Sequence, residues 1–529
     1  MRRAVKQVDT NPQGRLFGLE EPEPLAEAVA AAVGAVVFNR PDPREIFLGA
    51  VRLDEHLRAM GTAEALHIRA LLEEQSWEAF ERQYKPGGRL PYAPQAMLGL
   101  VLYGIGKGIS SLRGLERLAR VDLGCMWITG GLCPDHASIG RFIQQHDAHM
   151  SGEFLERLTR SVLRVTASGV ETVAGDGTVV QAAASRYRTL KQEAARAAAQ
   201  AARQAAQANP DDAKLQARAA QAEQVEQTLE RRAAAREAKG KPTQSTSISP
   251  VEPEAVVQPQ KDKKTFAPSY KPSVLANAAR VIVGWDLDPS SETTVVAPML
   301  DQAERLGGVQ SALFDAGYHS EAVLEATAER GIEVLCPEGQ ALSEDDWTRQ
   351  SDKYYPKSQF VYDPGSDSYT CPGGARLTPK DRCHGKHPRD QYIRYATPAC
   401  AACPSRAQCT RGAGGRQIKR YRGDAAKEAL RLAMTDPEQR RRYRQRQAMV
   451  EPVFSVLKQR QGLTRFRRRG LAGVRRELAL HVMAYNLGRA IARGAFSALL
   501  RALRGTLGWL HRLLQRDHLP CATSAPQSA

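Results

Sequence analysis

Apolar positions recur with two different periods along this chain, and the change of period divides it. From Leu53 to His146 the spacing is helical. Within RLPYAPQAMLGLVLYGIGKGISSLRGLERLARVDLGCMWITGG (89–131) it is broken at Gly104, Gly106 and Gly108. Ser110 or Ser111 then caps a helix that carries Leu112, Leu115, Leu118 and Ala119 on one face. CPDHASIGRFIQQH (133–146) starts another short helix, with Ser138 as its expected cap and Arg141 exposed. Helix, turn and helix beside basic groups suit a DNA-reading module, and suit a plain helical bundle equally.

From residue 169 the period shortens. GVETVAGDGTVVQAAAS (169–185), ARVIVGWDLDPSSETTVVAPML (279–300), GGVQSALFDAGYHS (307–320) and GIEVLCP (331–337) read as short strands followed by turns or helix starts. Strands alternating with helical stretches predict an α/β domain built on a mixed sheet. Two segments interrupt it. Residues 190–240 are rich in Ala, Gln, Glu and Arg and split at Asn209-Pro210-Asp211-Asp212, which predicts a helical hairpin, with a return linker over 241–268. Residues 340–412 hold five of the nine cysteines. A basic helix follows over 440–462, then a helix over 471–494 and a basic amphipathic helix over 496–516.

Charge narrows the partners. A formal net charge of +17 calls for a polyanion, nucleic acid before an anionic membrane surface. No apolar run approaches the ~18–20 residues that span a bilayer. No apolar segment directly follows MRRAVKQVD, and the unevenly spread cysteines do not form a secreted disulfide framework, so a cytoplasmic location is expected.

Three acids stand out against this background. Asp176 sits between two glycines at a strand end, where the glycines are expected to turn the backbone and expose the carboxylate. Asp315 ends a second strand in front of Gly317. Glu451 is the one acid in RRRYRQRQAMVEPVFSVLKQRQG (440–462), beside a stripe of Val450, Val453, Phe454 and Leu457. A lone Asp after a strand is usually a turn former or a helix cap. Three acids at strand ends and on a basic helix can instead surround two Mg²⁺ (or Mn²⁺) ions about 3.5–4 Å apart, an arrangement suited to in-line phosphoryl transfer. Lys458 lies two helical turns beyond Glu451, on the same face, and with Tyr443, Arg446 and the RFRRRG run (465–470) would extend a phosphate track. Cys371, Cys400, Cys403 and Cys409 offer four thiolates with one C-x2-C half-site, a set that suits a structural Zn²⁺ but is equally open to ordinary reduced thiols. Cys383, His384 and His387 lie between them as substitutes.

In order and spacing these blocks resemble the bacterial insertion-sequence transposases of the DDE type. The likeness covers roughly residues 45–495: the entry block from YKPGGRLPYAPQAM to CPDHASIGRF, then VAGDGTVV, LFDAGYHS, YRQRQAMVEPVFSVLKQRQGLTRFRRRG and HVMAYNLGR. The resemblance implies an RNase H-like catalytic domain in which Asp176, Asp315 and Glu451 hold the metal. It sets Tyr443, Arg446 and Lys458 near the family's Tyr–Arg–Glu–Lys signature, with Arg446 one residue further from Glu451 than in its common form. Arg467, Arg468, Arg469 and Arg141 join them as expected DNA contacts. The implied map has a variable leader (1–45), a helical DNA-binding module (46–150) and a catalytic domain (165–340 plus 425–495). It adds a hairpin and linker insertion (188–268), a cysteine-rich insertion (341–412) and a basic C-terminal helix and tail (496–529). The implied partners are double-stranded DNA (the element's terminal inverted repeats and its target) and a second copy of the chain, in a homodimer or larger nucleoid-associated assembly. A non-catalytic DNA-binding derivative and an RNase H-like nuclease without joining activity are the alternatives.

Overall fold

The computed structural model describes residues 36–516 except 88, 239, 241, 261, 263, 339–353 and 386–390, and over 495–516 only the helical backbone. The leader up to residue 35, the start of the cysteine-rich insertion, His387 and the tail after 516 lie outside the described residues. The chain divides into two compact units, one drawn from Met1–Leu100 and Leu115–His149, the other from Val101–Gly114 and Met150–Ala529.

Helices make up most of the first unit, including Leu53–Ala59, Glu64–Glu73, Leu123–Thr129 and His136–Gln145. Ser111 does cap the helix Leu112–Val121, its Oγ accepting from Gly114 N at 3.2 Å. The cap of His136–Gln145 differs from expectation. Asp135 occupies that position and accepts from Ser138 N at 2.7 Å, because a carboxylate one turn earlier reaches the free N–H first. His136 is held by Glu116, with Nδ1 to Oε2 at 2.7 Å.

In the second unit a mixed sheet contains β1 (Thr172–Gly177), β2 (Val180–Gln181), β3 (Val256–Pro259), β4 (Phe266–Asn277), β5 (Ile282–Asp288), β6 (Ser311–Leu313) and β7 (Glu333–Leu335). The long β4 runs antiparallel to β1 and β2 along one edge and to β5 and β3 along the other. β1 is parallel to β6 and β6 to β7, so the strand order through the centre is β5-β4-β1-β6-β7. The α/β expectation holds, but β4, its longest strand, is absent from the sequence reading. FAPSYKPSVLAN carries two prolines, which argue against a central strand. Both prolines nevertheless keep the ladder through their carbonyls: Thr178 N donates to Pro272 O at 2.9 Å and Ala182 N to Pro268 O at 2.8 Å.

Helices α1 (Leu155–Thr166), α2 (Val296–Leu306), α3 (Glu321–Ala328), α4 (Pro437–Ser455) and α5 (Gly470–Arg516) accompany the sheet. The buried residues of α4 (Arg446, Met449, Val450 and Val453) face β1 and β4. One continuous helix, α5, runs where two were expected on either side of residue 495. Asn486 fastens it to β5, accepting from Ile282 N and donating to Ile282 O, both at 2.9 Å.

The alanine-rich insertion takes the form its composition predicts. Gln192–Ala208 and Ala213–Glu237 form the helical hairpin, with Asp212 capping the second helix. The cysteine-rich stretch folds as a five-stranded antiparallel meander from Val361–Asp363 to Ile418–Arg420. Its small core is Phe360, Tyr369, Leu377, Tyr395 and Ile418, with Cys371 and Cys409 packed against it.

Candidate active site

The parallel pairing of β1 with β6 sets Ala174 opposite Leu313. Two residues further along each chain stand Asp176 and Asp315, side by side at the same end of the sheet and on the face their partners share. The glycines around Asp176 serve packing rather than a turn. A Cβ on Gly175 would lie 2.2 Å from the Phe314 ring, and one on Gly177 would lie 2.6 Å from Glu292 Cγ. Neither residue has positive φ, and both remain inside β1. Asp315 does act as the turn former its position suggests, Oδ1 accepting from Gly317 N at 2.8 Å, while Oδ2 turns toward Arg446.

Between the two carboxylates lies Arg446. Its Nη2 is 3.3 Å from Asp176 Oδ1 and 3.5 Å from Asp315 Oδ2, and its Nε donates to Gly175 O at 3.3 Å. Only 8% of this side chain is exposed, so the arginine expected on a phosphate track is instead a buried counter-ion of the acid pair. Its helical position accounts for this, since Arg446 shares a face with Val450 and Val453, four and seven residues on. Burial pushes the Asp176 carboxyl up to about 6; Arg446 and the Gly177 N–H oppose it, while Asp315 and Glu292 add to it. Tyr443, half-buried one turn earlier, is pushed up to about 12 by burial, and Arg446, Asp315 and Asp176 all act on its hydroxyl.

Glu451 is exposed on α4, on the flank that continues to Lys458. Lys458 Nζ donates to Thr178 Oγ1 and to Val179 O, so this flank borders the end of β1. Pro452 breaks the helical ladder beside Glu451. The freed carbonyl of Ala448 accepts instead from Arg280 Nε at 2.9 Å, and the helix passes into a wider turn over Val456–Arg460. Among the described residues no hydrogen bond or ion pair joins Glu451 to Asp176 or Asp315.

Arg467 and Arg469 are exposed and Arg468 is partly so. The buried Glu477 holds their loop, accepting from Arg467 N and Arg468 N, both at 2.9 Å. Arg141, in the first unit, is exposed and donates to Ser138 Oγ at 3.0 Å. The sequence offered no signal for Glu477, and for Glu292 only its place just beyond β5.

Among the described residues no group of three or more His, Cys, Asp or Glu side chains stands in a metal-binding arrangement. The acid pair nonetheless suits a hard divalent ion: two carboxylates in register, with a cationic group already drawn between them. In the insertion, Cys371 Sγ and Cys403 Sγ lie 3.8 and 3.9 Å from the point where a Gly373 Cβ would stand. Cys409 is pushed up by burial and by the thiols of Cys400, Cys371 and Cys403, so the four converge without reaching ligating geometry. Cys383 and His384 sit on the strand Arg376–His384, paired with Tyr392 and Gln391.

Two family models match this chain. One, described as a transposase DDE domain, covers residues 370–491, and one, described as a transposase domain (DUF772), covers 54–145. Both are models of transposase domains, and each covers less than half of the chain. More particularly, they indicate a transposase of the insertion-sequence kind. The first match takes in Tyr443, Arg446, Glu451, Lys458, the loop arginines and the four cysteines, while Asp176 and Asp315 precede it. No curated protein matches the chain. Among the described residues no helix is long and apolar enough to cross a membrane.

Proposed function

We propose that this transposase binds the terminal inverted repeats of its insertion sequence, cuts the DNA there and joins the 3′-hydroxyl ends to target DNA. The observation that carries this reading is the acid pair, with Asp176 at the end of β1, Asp315 just past the end of the parallel β6, and one buried arginine between them. The central strand order, with β4 antiparallel and β6 and β7 parallel, supports an RNase H-like sheet. Asp176, Asp315 and Glu451 are the proposed holders of Mg²⁺ or Mn²⁺. When bound, such ions supply activation of the attacking oxygen and stabilisation of the leaving oxygen in an in-line displacement.

The chain's own groups do the rest. Partial burial of Asp176 weakens the screening of its charge by water, and Arg446, lying between the two acids, orients them and favours the charged form of Asp176. Lys458 brings a cation to the end of β1, next to Glu451, where a DNA phosphate is attracted. Arg467, Arg468 and Arg469 extend the basic surface under the grip of Glu477, and Tyr443 lines it. The helical unit with Arg141 is the proposed reader of the repeats. Two element ends must meet, so a homodimer or larger assembly on DNA, within the bacterial nucleoid, is part of this reading. Cys371, Cys400, Cys403 and Cys409 are the proposed ligands of a structural Zn²⁺.

Incubation with Mg²⁺ and DNA carrying the element's ends tests the proposal. Cleaved ends and joined products are expected. Cleavage without joining would favour a nuclease, and binding without cleavage a non-catalytic DNA-binding protein.

A further inference from the structure

Past the acid pair the sheet continues as a narrow ribbon. β1 ends at Gly177, opposite Ser273, while β4 extends on to Phe266 between β2 and β3. The chain leaves this ribbon just after β2, where Ala182 N donates to Pro268 O at 2.8 Å. That point is six residues along β4 from Val274, the partner of Asp176, or about 20 Å at the rise of a strand.

The chain then makes a turn in which Arg186, Tyr187 and Arg188 are all exposed. Tyr187 is 80% exposed, the most of any large hydrophobic side chain among the described residues. Arg186 lies over one face of its ring, 4.7 Å from the centroid, and donates to its hydroxyl. The end of the ribbon beside this turn also exposes Lys264 and Phe266. Asp262, an acid there on which Arg186 acts, is used within its own turn, accepting from Thr265 N at 2.8 Å and Lys264 N at 3.1 Å.

The turn is braced from the other basic loop. Gln181 N donates to Thr464 O at 3.2 Å and Phe466 N to Gln181 O at 2.8 Å, which laces the end of β2 to the loop over 465–470. Arg465 donates from Nε to Ala182 O at 3.1 Å and from Nη2 to Ala184 O at 2.9 Å, so it holds the turn rather than a phosphate. Arg186 and Arg188 thereby join Arg467 and Arg469 on one connected edge. Like charges gathered on a braced edge repel one another, and a polyanion relieves that repulsion. Guanidiniums for phosphates, beside an open aromatic ring for stacking, are the groups that hold nucleic acid.

We propose that the Arg186–Tyr187–Arg188 turn is a DNA contact, its two guanidiniums each neutralising a phosphate and Tyr187 stacking on a nucleotide between them. The contact lies about six base pairs from the acid pair, at about 3.4 Å per pair. The proposal rests on the reading of this chain as a DNA-binding transposase, and the test keeps the two apart. Binding of the full-length chain to duplex DNA carrying the element's ends is followed by fluorescence anisotropy across a salt series. Wild type is compared with Arg186→Ala plus Arg188→Ala, Tyr187→Ala, Tyr187→Phe, and a control of equal charge loss on the alanine-rich hairpin, Lys214→Ala plus Arg218→Ala. The double arginine variant is expected to lower the salt slope by about two, and the hairpin control to leave it in place. Tyr187→Ala is expected to weaken binding about fivefold or more without changing the slope, and Tyr187→Phe to bind as wild type does. All these side chains are exposed, and circular dichroism checks that each variant is folded. Wild-type binding with an unchanged slope in the double variant, an equal fall in the control, or unchanged binding by Tyr187→Ala would overturn this inference and leave the transposase reading standing. Failure of the wild type to bind DNA would overturn both.

Discussion

Asp176 is caught between burial, which favours its proton, and Arg446, which favours its charge, and burial wins. The sign of the consequence follows directly. Below about pH 4 the carboxyl is protonated both folded and unfolded, and burial costs nothing through ionisation. Between pH 4 and 6 the unfolded chain loses its proton first, so stability falls as pH rises. Above about pH 6 the penalty is complete, at most about 3 kcal/mol for a shift of this size. Asp176→Asn is therefore expected to raise the melting temperature of the metal-free protein at pH 8 and to leave it unchanged at pH 4. Calorimetry at the two values checks this, and an equal change at both would contradict it. Arg446 carries the opposite expectation. Arg446→Met leaves two neighbouring acids without their counter-ion, so it should cost about 2–4 kcal/mol at pH 8 and distinctly less at pH 5, where Asp176 can take up a proton. Denaturant unfolding at the two pH values measures the difference. The burial of Arg446 was legible in its spacing from Val450 and Val453. It was masked by neighbours such as Arg441 and Arg444, which do face solvent.

Elements differ in how openly the sequence declares them. The alanine-rich hairpin and its Asn-Pro-Asp-Asp turn were plain, because helix propensity and capping act locally. β4 was hidden, because its prolines contradict strand propensity and only its partners on both edges rescue it. For the same reason Asp176 and Asp315 could be named from strand ends, but their exact juxtaposition came from register, which no single strand encodes. The loop over 465–470 depends on a residue in the following helix. Glu477→Ala strands the N–H groups of Arg467 and Arg468, and is expected to cost about 2–3 kcal/mol and to weaken DNA binding as the loop loosens. Chemical denaturation paired with a DNA-binding titration tests both effects together. In the insertion, the converging thiols predict about one zinc per chain by elemental analysis, absent from Cys403→Ser. Zinc-free protein with an intact insertion would refute that assignment.

The whole molecule carries a net charge of +17, and that charge sets how it meets DNA. Binding should weaken steeply as salt rises, and replacing Arg467 and Arg469 together should lower the salt slope by about two, roughly one for each phosphate no longer neutralised. Charge pointed to the partner class from composition alone, whereas the proposed chemistry draws on acids from three distant segments, of which the fold sets two side by side. The central claim is that Asp176, Asp315 and Glu451 act as one catalytic set. Its most direct test is the single-turnover rate of strand transfer from pre-cleaved element ends in Mg²⁺, measured for wild type, Asp176→Asn, Asp315→Asn and Glu451→Gln at matched DNA occupancy. Each substitution is predicted to slow joining by about 10³-fold or more, the several kcal/mol expected when a metal-holding acid is removed. Joining at the wild-type rate by Asp315→Asn or Glu451→Gln would contradict the account.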